Sequence, residues 1–148
     1  PRAIGGPAAP VDPADTVDEV ATVLDRAGFP AETADAVCHC VAVHDEYEYR
    51  GIERPAETLE AKILRDADNL DAMGAVGIAR TFMFSGTAGH DMWTPASDDY
   101  SALDHFDEKL LRLREEMHTE TAREIAAERH AFLESFVERF QQEWDGQR

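Results

Sequence analysis

The chain has 148 residues, 43% of them apolar. A single domain of that length buries about 68–70% of its unfolded surface, so an ordinary apolar core is within reach and wholesale disorder is excluded. With 31 acidic residues against 14 basic ones the net charge is −17, which excludes a nucleic-acid backbone or an anionic membrane as the main partner, since both need a basic face.

The run Ala72–Ala79 carries no charge or strong polar group and is far short of a membrane span. No basic segment followed by an apolar stretch opens the chain, so nothing marks it for secretion. Two of the bases are lysines, Lys62 and Lys109, and the rest are arginines. An acid-rich, lysine-poor composition fits a cytoplasmic protein of a high-salt host, where charge keeps proteins dissolved and salt screens self-repulsion. An ordinary acidic protein is the alternative.

Residues 1–14 carry four prolines and two glycines and read as a loop or tail. Asp15 or Thr16 caps a first helix that runs to about Ala27 and stops at Gly28, with Val17, Val20, Ala21 and Leu24 as its apolar stripe. Pro30 opens a second helix to about His44. Cys38 and Cys40 sit two apart on it, so their side chains diverge and the pair reads as free thiols in a reducing compartment. Residues 45–57 are polar and read as a loop. Thr58 starts a third helix, and residues 75–85 continue helically after a break near Gly74–Gly77. Residues 86–100 form a long loop. Ser101 caps a fourth helical segment whose stripe is Leu103, Phe106, Leu110, Leu113 and Met117. Thr119 opens the last helix, with Ala122, Ile125, Ala126, Leu133, Phe136, Val137, Phe140 and Trp144 facing inward. No alternating β-branched run and no internal repeat is present. The pattern predicts an all-α bundle.

The chemically informative stretch is Asp66-Ala67-Asp68-Asn69-Leu70-Asp71. Asp68 and Asp71 are three apart and share a helix face flanked by Leu64 and Ala75. Like charges beside apolar neighbours repel, and a hard divalent cation relieves that cost. A solvated acidic face explains the same spacing. Arg80 lies in the apolar run Gly74–Phe84 and needs a partner, either a nearby acid or a phosphate held by its planar fork. Arg129 falls on the apolar stripe of the last helix, between Ala126 and Leu133, with the same two explanations. His105 and Lys109 are four apart, positioned either to line a phosphate site or to form a boundary face. Cys38, His39, Cys40 and His44 do not have the spacing of a closed zinc site. His44 alone, at a helix end before a polar loop, is placed to contact an anion or a metal, or to be a surface histidine. Glycine-rich phosphate loops, nucleophile elbows and dinucleotide fingerprints are absent from the sequence.

Taken together, Leu59–Gly86, with the Asp-Ala-Asp-Asn-Leu-Asp core, resembles the C-terminal half of HD-superfamily phosphohydrolases. The likeness is to the branch of small predicted hydrolases related to nucleotide pyrophosphohydrolases. Asp104–Leu111, Met117–Ala122 and Phe140–Trp144 resemble the final helices of that branch, and the likeness covers residues 15–146. It implies an HD-domain-like helical bundle that uses a divalent metal, Mn2+ or Mg2+, to hydrolyse a nucleotide or other small phosphate compound. The superfamily's metal ligands are a histidine, a His-Asp dyad and a later aspartate, and Asp68 matches the last. By the same resemblance Asp71 orients water or substrate, His44 contacts phosphate or metal, and Arg80, Lys109 and Arg129 serve phosphate binding or structural pairing.

The upstream histidine and dyad have no counterpart in this sequence. His44-Asp45 takes the place of a later histidine, only 24 residues before Asp68. The resemblance therefore implies that residues 15–148 are the C-terminal part of a single HD-like domain, incomplete at its N-terminus. On that reading the chain alone binds metal weakly and is inactive, and Val37, Val41, Leu64, Leu70 and Ile78 form an exposed core edge that favours self-association into a homo-oligomer. The other reading is a truncated or degenerate, non-catalytic helical domain kept for binding or interaction.

Overall fold

The computed structural model describes residues 12–51, 54–97 and 99–147. Five α-helices form among the described residues: α1 (Val17–Arg26), α2 (Ala31–Val43), α3 (Leu59–Asp71), α4 (Gly74–Ala88) and α5 (Glu120–Trp144). Short helical turns lie at Pro13–Thr16, Glu48–Arg50, Phe106–Leu110 and Leu113–Glu116, and no strand occurs among the described residues. The all-α expectation holds. Of the expected tail, residues 1–11 lie outside the described residues. Asp12 is already structural, because its carboxylate accepts from the Ala14 N–H at 2.9 Å and caps the turn at Pro13–Thr16.

The chain forms two compact units, which divide within α3 between Asp68 and Asn69. In the first, α1 packs on α2. Gly28, at φ +79°, lets the chain leave α1 where any other residue would be strained. The small core of this unit is Val43, Ala56 and Ala61, with Cys40 and Ala42 packed against it. Cys38 and Cys40 are free thiols.

In the second unit α4 packs on α5. Thr119 caps α5, its hydroxyl accepting from the Ala122 N–H at 3.3 Å. Phe82, Phe106, Phe136 and Phe140 form a ring cluster with centroid separations of 5.6–6.0 Å, and Trp93 and Trp144 extend it from Phe140. Among the five expected core-edge residues, Leu64 is exposed and Ile78 is buried.

The segment after Ser101 departs from the expected regular helix. Leu103, Phe106, Leu110, Leu113 and Met117 are all buried, as their spacing demands. The backbone, however, winds as one π-helical turn at Phe106–Leu110 followed by a 3-10 turn at Leu113–Glu116. The Leu111 N–H bonds to the Phe106 carbonyl, five residues back. A pattern of steps of three and four over so few turns is met by a wide turn followed by a tight one as well as by a uniform helix.

Candidate functional site

The break between α3 and α4 is enforced by glycine. A Cβ on Gly77 would stand 2.1 Å from the Ala72 carbonyl oxygen, so no side chain fits there. Gly74, at φ +71°, lies under Arg129, whose Cγ would be 3.2 Å from an added Cβ. Arg129 closes the corner by donating from Nη1 to the Leu70 carbonyl.

That corner launches α4, which presents Gly77, Arg80, Thr81, Phe84 and Ser85 to a cavity of about 250 Å³ in the second unit. His90, Tyr100, His105, Lys109 and Leu110 complete its wall with Ala72. Lys109 comes from the π-helical turn and His105 from the residue just before it. Such turns recur at functional sites because they displace side chains from regular helical register. Arg80 is paired through Nη1 with Asp71 on an exposed surface. The Tyr100 hydroxyl lies 3.0 Å from His105 Nδ1. The His90 ring meets Tyr100 edge-to-face, with centroids 5.4 Å apart at 78°. The cavity thus gathers two permanent cations, two imidazoles, a phenol and the Thr81 and Ser85 hydroxyls in a chain whose net charge is −17. That donor set suits an anion with several oxygens.

The sequence-derived residues fall as follows. Arg80 and Lys109 share the cavity, and Asp71 holds Arg80. Arg129 is not among the lining residues; it serves the α3–α4 corner. Asp68 is exposed on α3 in the first unit. In the same unit, His44 Nδ1 lies 2.6 Å from the Val41 carbonyl. A ring that donates there carries its lone pair on Nε2, the form that ligates metals.

The first unit also holds a cleft lined by Asp12, Asp45, Glu46, Tyr47, Arg50 and Arg54. Arg54 straps Asp12 to Glu46 and holds the Asp12 carboxyl below the usual carboxylate range, chiefly through its hydrogen bond, with the Ala14 N–H adding to the effect. Tyr47 is buried, and burial pushes its phenol well above the ordinary value, helped by the charge of Asp45, its hydrogen bond to Asp45 and the charge of Asp68.

Sequence reasoning missed the buried polar face of α3. Arg65 and Asn69 are buried in register with Ala61 and Met73, and Asp66 is also buried. Arg65 donates to the Glu46 carbonyl. The spacing of four was readable, but it was occupied by polar residues where apolar ones were sought.

Among the described residues no three His, Cys, Asp or Glu side chains converge on a metal position. These residues do not complete a divalent-metal centre by themselves. No helix among the described residues is long and apolar enough to cross a membrane.

No family model matches the chain. The Bacillus subtilis protein YpgQ, an uncharacterised protein, is 42% identical over 131 residues, 88% of this chain and 62% of YpgQ. A crystal structure of YpgQ in complex with ADP superposes with a TM-score of 0.69, covering 86% of this chain and 63% of that one. An HD-superfamily hydrolase from Bacillus thuringiensis is 35% identical, with a TM-score of 0.69 over 89% of this chain and 64% of that one. A Lactobacillus plantarum protein of known structure is 30% identical, with a TM-score of 0.77 over 93% of this chain and 70% of that one. The chain belongs to the same family as the Lactobacillus protein, and its fold is that of the HD superfamily. HD-superfamily hydrolases are generally metal dependent. The chain spans less than two thirds of the length of YpgQ.

Proposed function

We propose that this HD-superfamily chain is part of a metal-dependent phosphohydrolase acting on a nucleotide or another small phosphate compound, as the C-terminal portion of a single domain in a longer, cytoplasmic chain. The observation that carries the reading is the meeting of Arg80 and Lys109 on one cavity. The ADP held by the YpgQ crystal structure supports a nucleotide as the ligand class.

In this proposal Arg80 and Lys109 hold phosphate oxygens, and Asp71 orients the guanidinium of Arg80. Arg129 acts through the α3–α4 corner. Asp68 supplies one carboxylate for a divalent cation, Mn2+ or Mg2+, which needs further ligands outside the described residues. His44 contacts phosphate or metal through Nε2.

Calorimetric titration of ADP tests the phosphate site. Arg80→Gln and Lys109→Gln should each weaken binding about tenfold, the loss expected for one charge-assisted hydrogen bond to an anion. Unchanged affinity in both variants would sink the assignment. The competing reading, a non-catalytic binding domain, is separated by turnover: release of phosphate or pyrophosphate from a nucleotide panel with Mn2+ by a chain extended to the length of YpgQ supports the enzyme, and tight binding without release supports the binding domain.

A further inference from the structure

Neither imidazole of the cavity is needed to explain why Arg80 and Lys109 attract an anion, yet His105 is held in one orientation. Its Nδ1 faces the Tyr100 hydroxyl at 3.0 Å, and both side chains line the cavity. The Tyr100 ring is itself set edge-on against His90. A neutral imidazole has one donor and one acceptor nitrogen. A phenol hydroxyl can donate to an imidazole lone pair or accept from an imidazole N–H, so the contact admits either tautomer. In the tautomer in which Nδ1 accepts from Tyr100, the ring proton resides on Nε2.

Resting on the phosphate reading of this cavity, we infer that His105 is a third anion donor, contributing Nε2–H to a phosphate oxygen beside Arg80 and Lys109, and that Tyr100 is the positioning residue that fixes this tautomer. The π-helical turn fits the role, because it brings Lys109 to the same wall as His105. The ligand class is a phosphate ester or anhydride whose oxygens are shared among a guanidinium, an ammonium and an imidazole N–H.

The amide nitrogen of glutamine reaches the position of imidazole Nε2, and that of asparagine the position of Nδ1. Pyrophosphate is titrated calorimetrically into the 148-residue chain at a pH well above the ordinary imidazole value of about 6.5. His105→Asn should bind about tenfold more weakly, while His105→Gln stays within about threefold of the parent. Tyr100→Phe should cost about threefold with His105 present and nothing in the His105→Gln background, because Tyr100 acts only through the ring. Equal losses in His105→Asn and His105→Gln overturn the inference, as does a Tyr100→Phe cost that is the same in both backgrounds. Should His105→Asn fail to fold by circular dichroism, the Tyr100→Phe comparison decides alone. A parent chain that does not bind pyrophosphate overturns the phosphate reading of the cavity, and this inference with it.

Discussion

The guanidinium of Arg129 on α5 donates to the backbone carbonyl of Leu70 at the end of α3, across 59 residues of sequence. The last carbonyls of a helix have no partner within it, so a long-range donor there fixes where α3 stops and how α4 leaves. Arg129→Ala should therefore destabilise the protein by about 1.5–3 kcal/mol, as expected for a lost charged hydrogen bond that leaves an acceptor unsatisfied. Arg129→Lys should recover part of that in urea unfolding. Pyrophosphate affinity of the folded Arg129→Lys protein should stay within about threefold of the parent, because the residue works on the corner and not on the anion. A stability unchanged by Arg129→Ala would contradict the role.

Glycine at position 77 is a matter of space, since its missing Cβ would meet the Ala72 carbonyl at 2.1 Å. Gly77→Ala should cost about 3 kcal/mol by forcing a backbone shift. Gly86, in the same helix, has open space around it. Gly86→Ala should gain about 0.5–1 kcal/mol through helix propensity. Thermal unfolding of the two variants side by side reads both signs.

Much of this was legible in the sequence. The stripe of α1, the stop at Gly28, the break at Gly74–Gly77 and the cap at Thr119 are local signals, and each appears where it was expected. The cavity was half legible. Arg80 and Lys109 stood out as cations among apolar neighbours or at helical spacing, and His105 shares the spacing of Lys109. His90 and Tyr100 gave no signal, because they lie in a segment without period and reach the wall only through the tertiary path of the chain. Arg65 and Asn69 were invisible for another reason: a polar residue in a buried register reads as the exposed side until its partners are known.

Tyr47 makes stability sensitive to alkali. Its folded pKa is raised by burial first, and then by Asp45 and Asp68. The folded state therefore keeps the phenolic proton more tightly than the unfolded chain does. The contribution is fully present below the ordinary phenol value of about 10 and is lost as pH rises past it toward the folded value. The melting temperature should fall more steeply above that pH in the parent than in Tyr47→Phe. Parallel alkaline limbs would show that the phenol is not the group responsible.

The Arg54 strap works at the acid end. Asp12 is held below the ordinary carboxylate value, so its contribution is present above that value and is lost as pH falls through the lower folded one. Carboxyl NMR titration should show Asp12 returning toward the ordinary value of about 3.9 in Arg54→Gln. An Asp12 titration that does not move would mean that the strap seen at 2.9 Å is not maintained in solution.

The central claim is that the Arg80–Lys109 cavity receives the phosphate groups of a small ligand. Amide chemical-shift mapping of the 15N-labelled chain with ADP tests it most directly. The account predicts shifts concentrated at residues 80–85 and 105–110, saturating with ADP and largely absent in Lys109→Gln. Shifts confined to the first unit, or no saturable shifts, would contradict it.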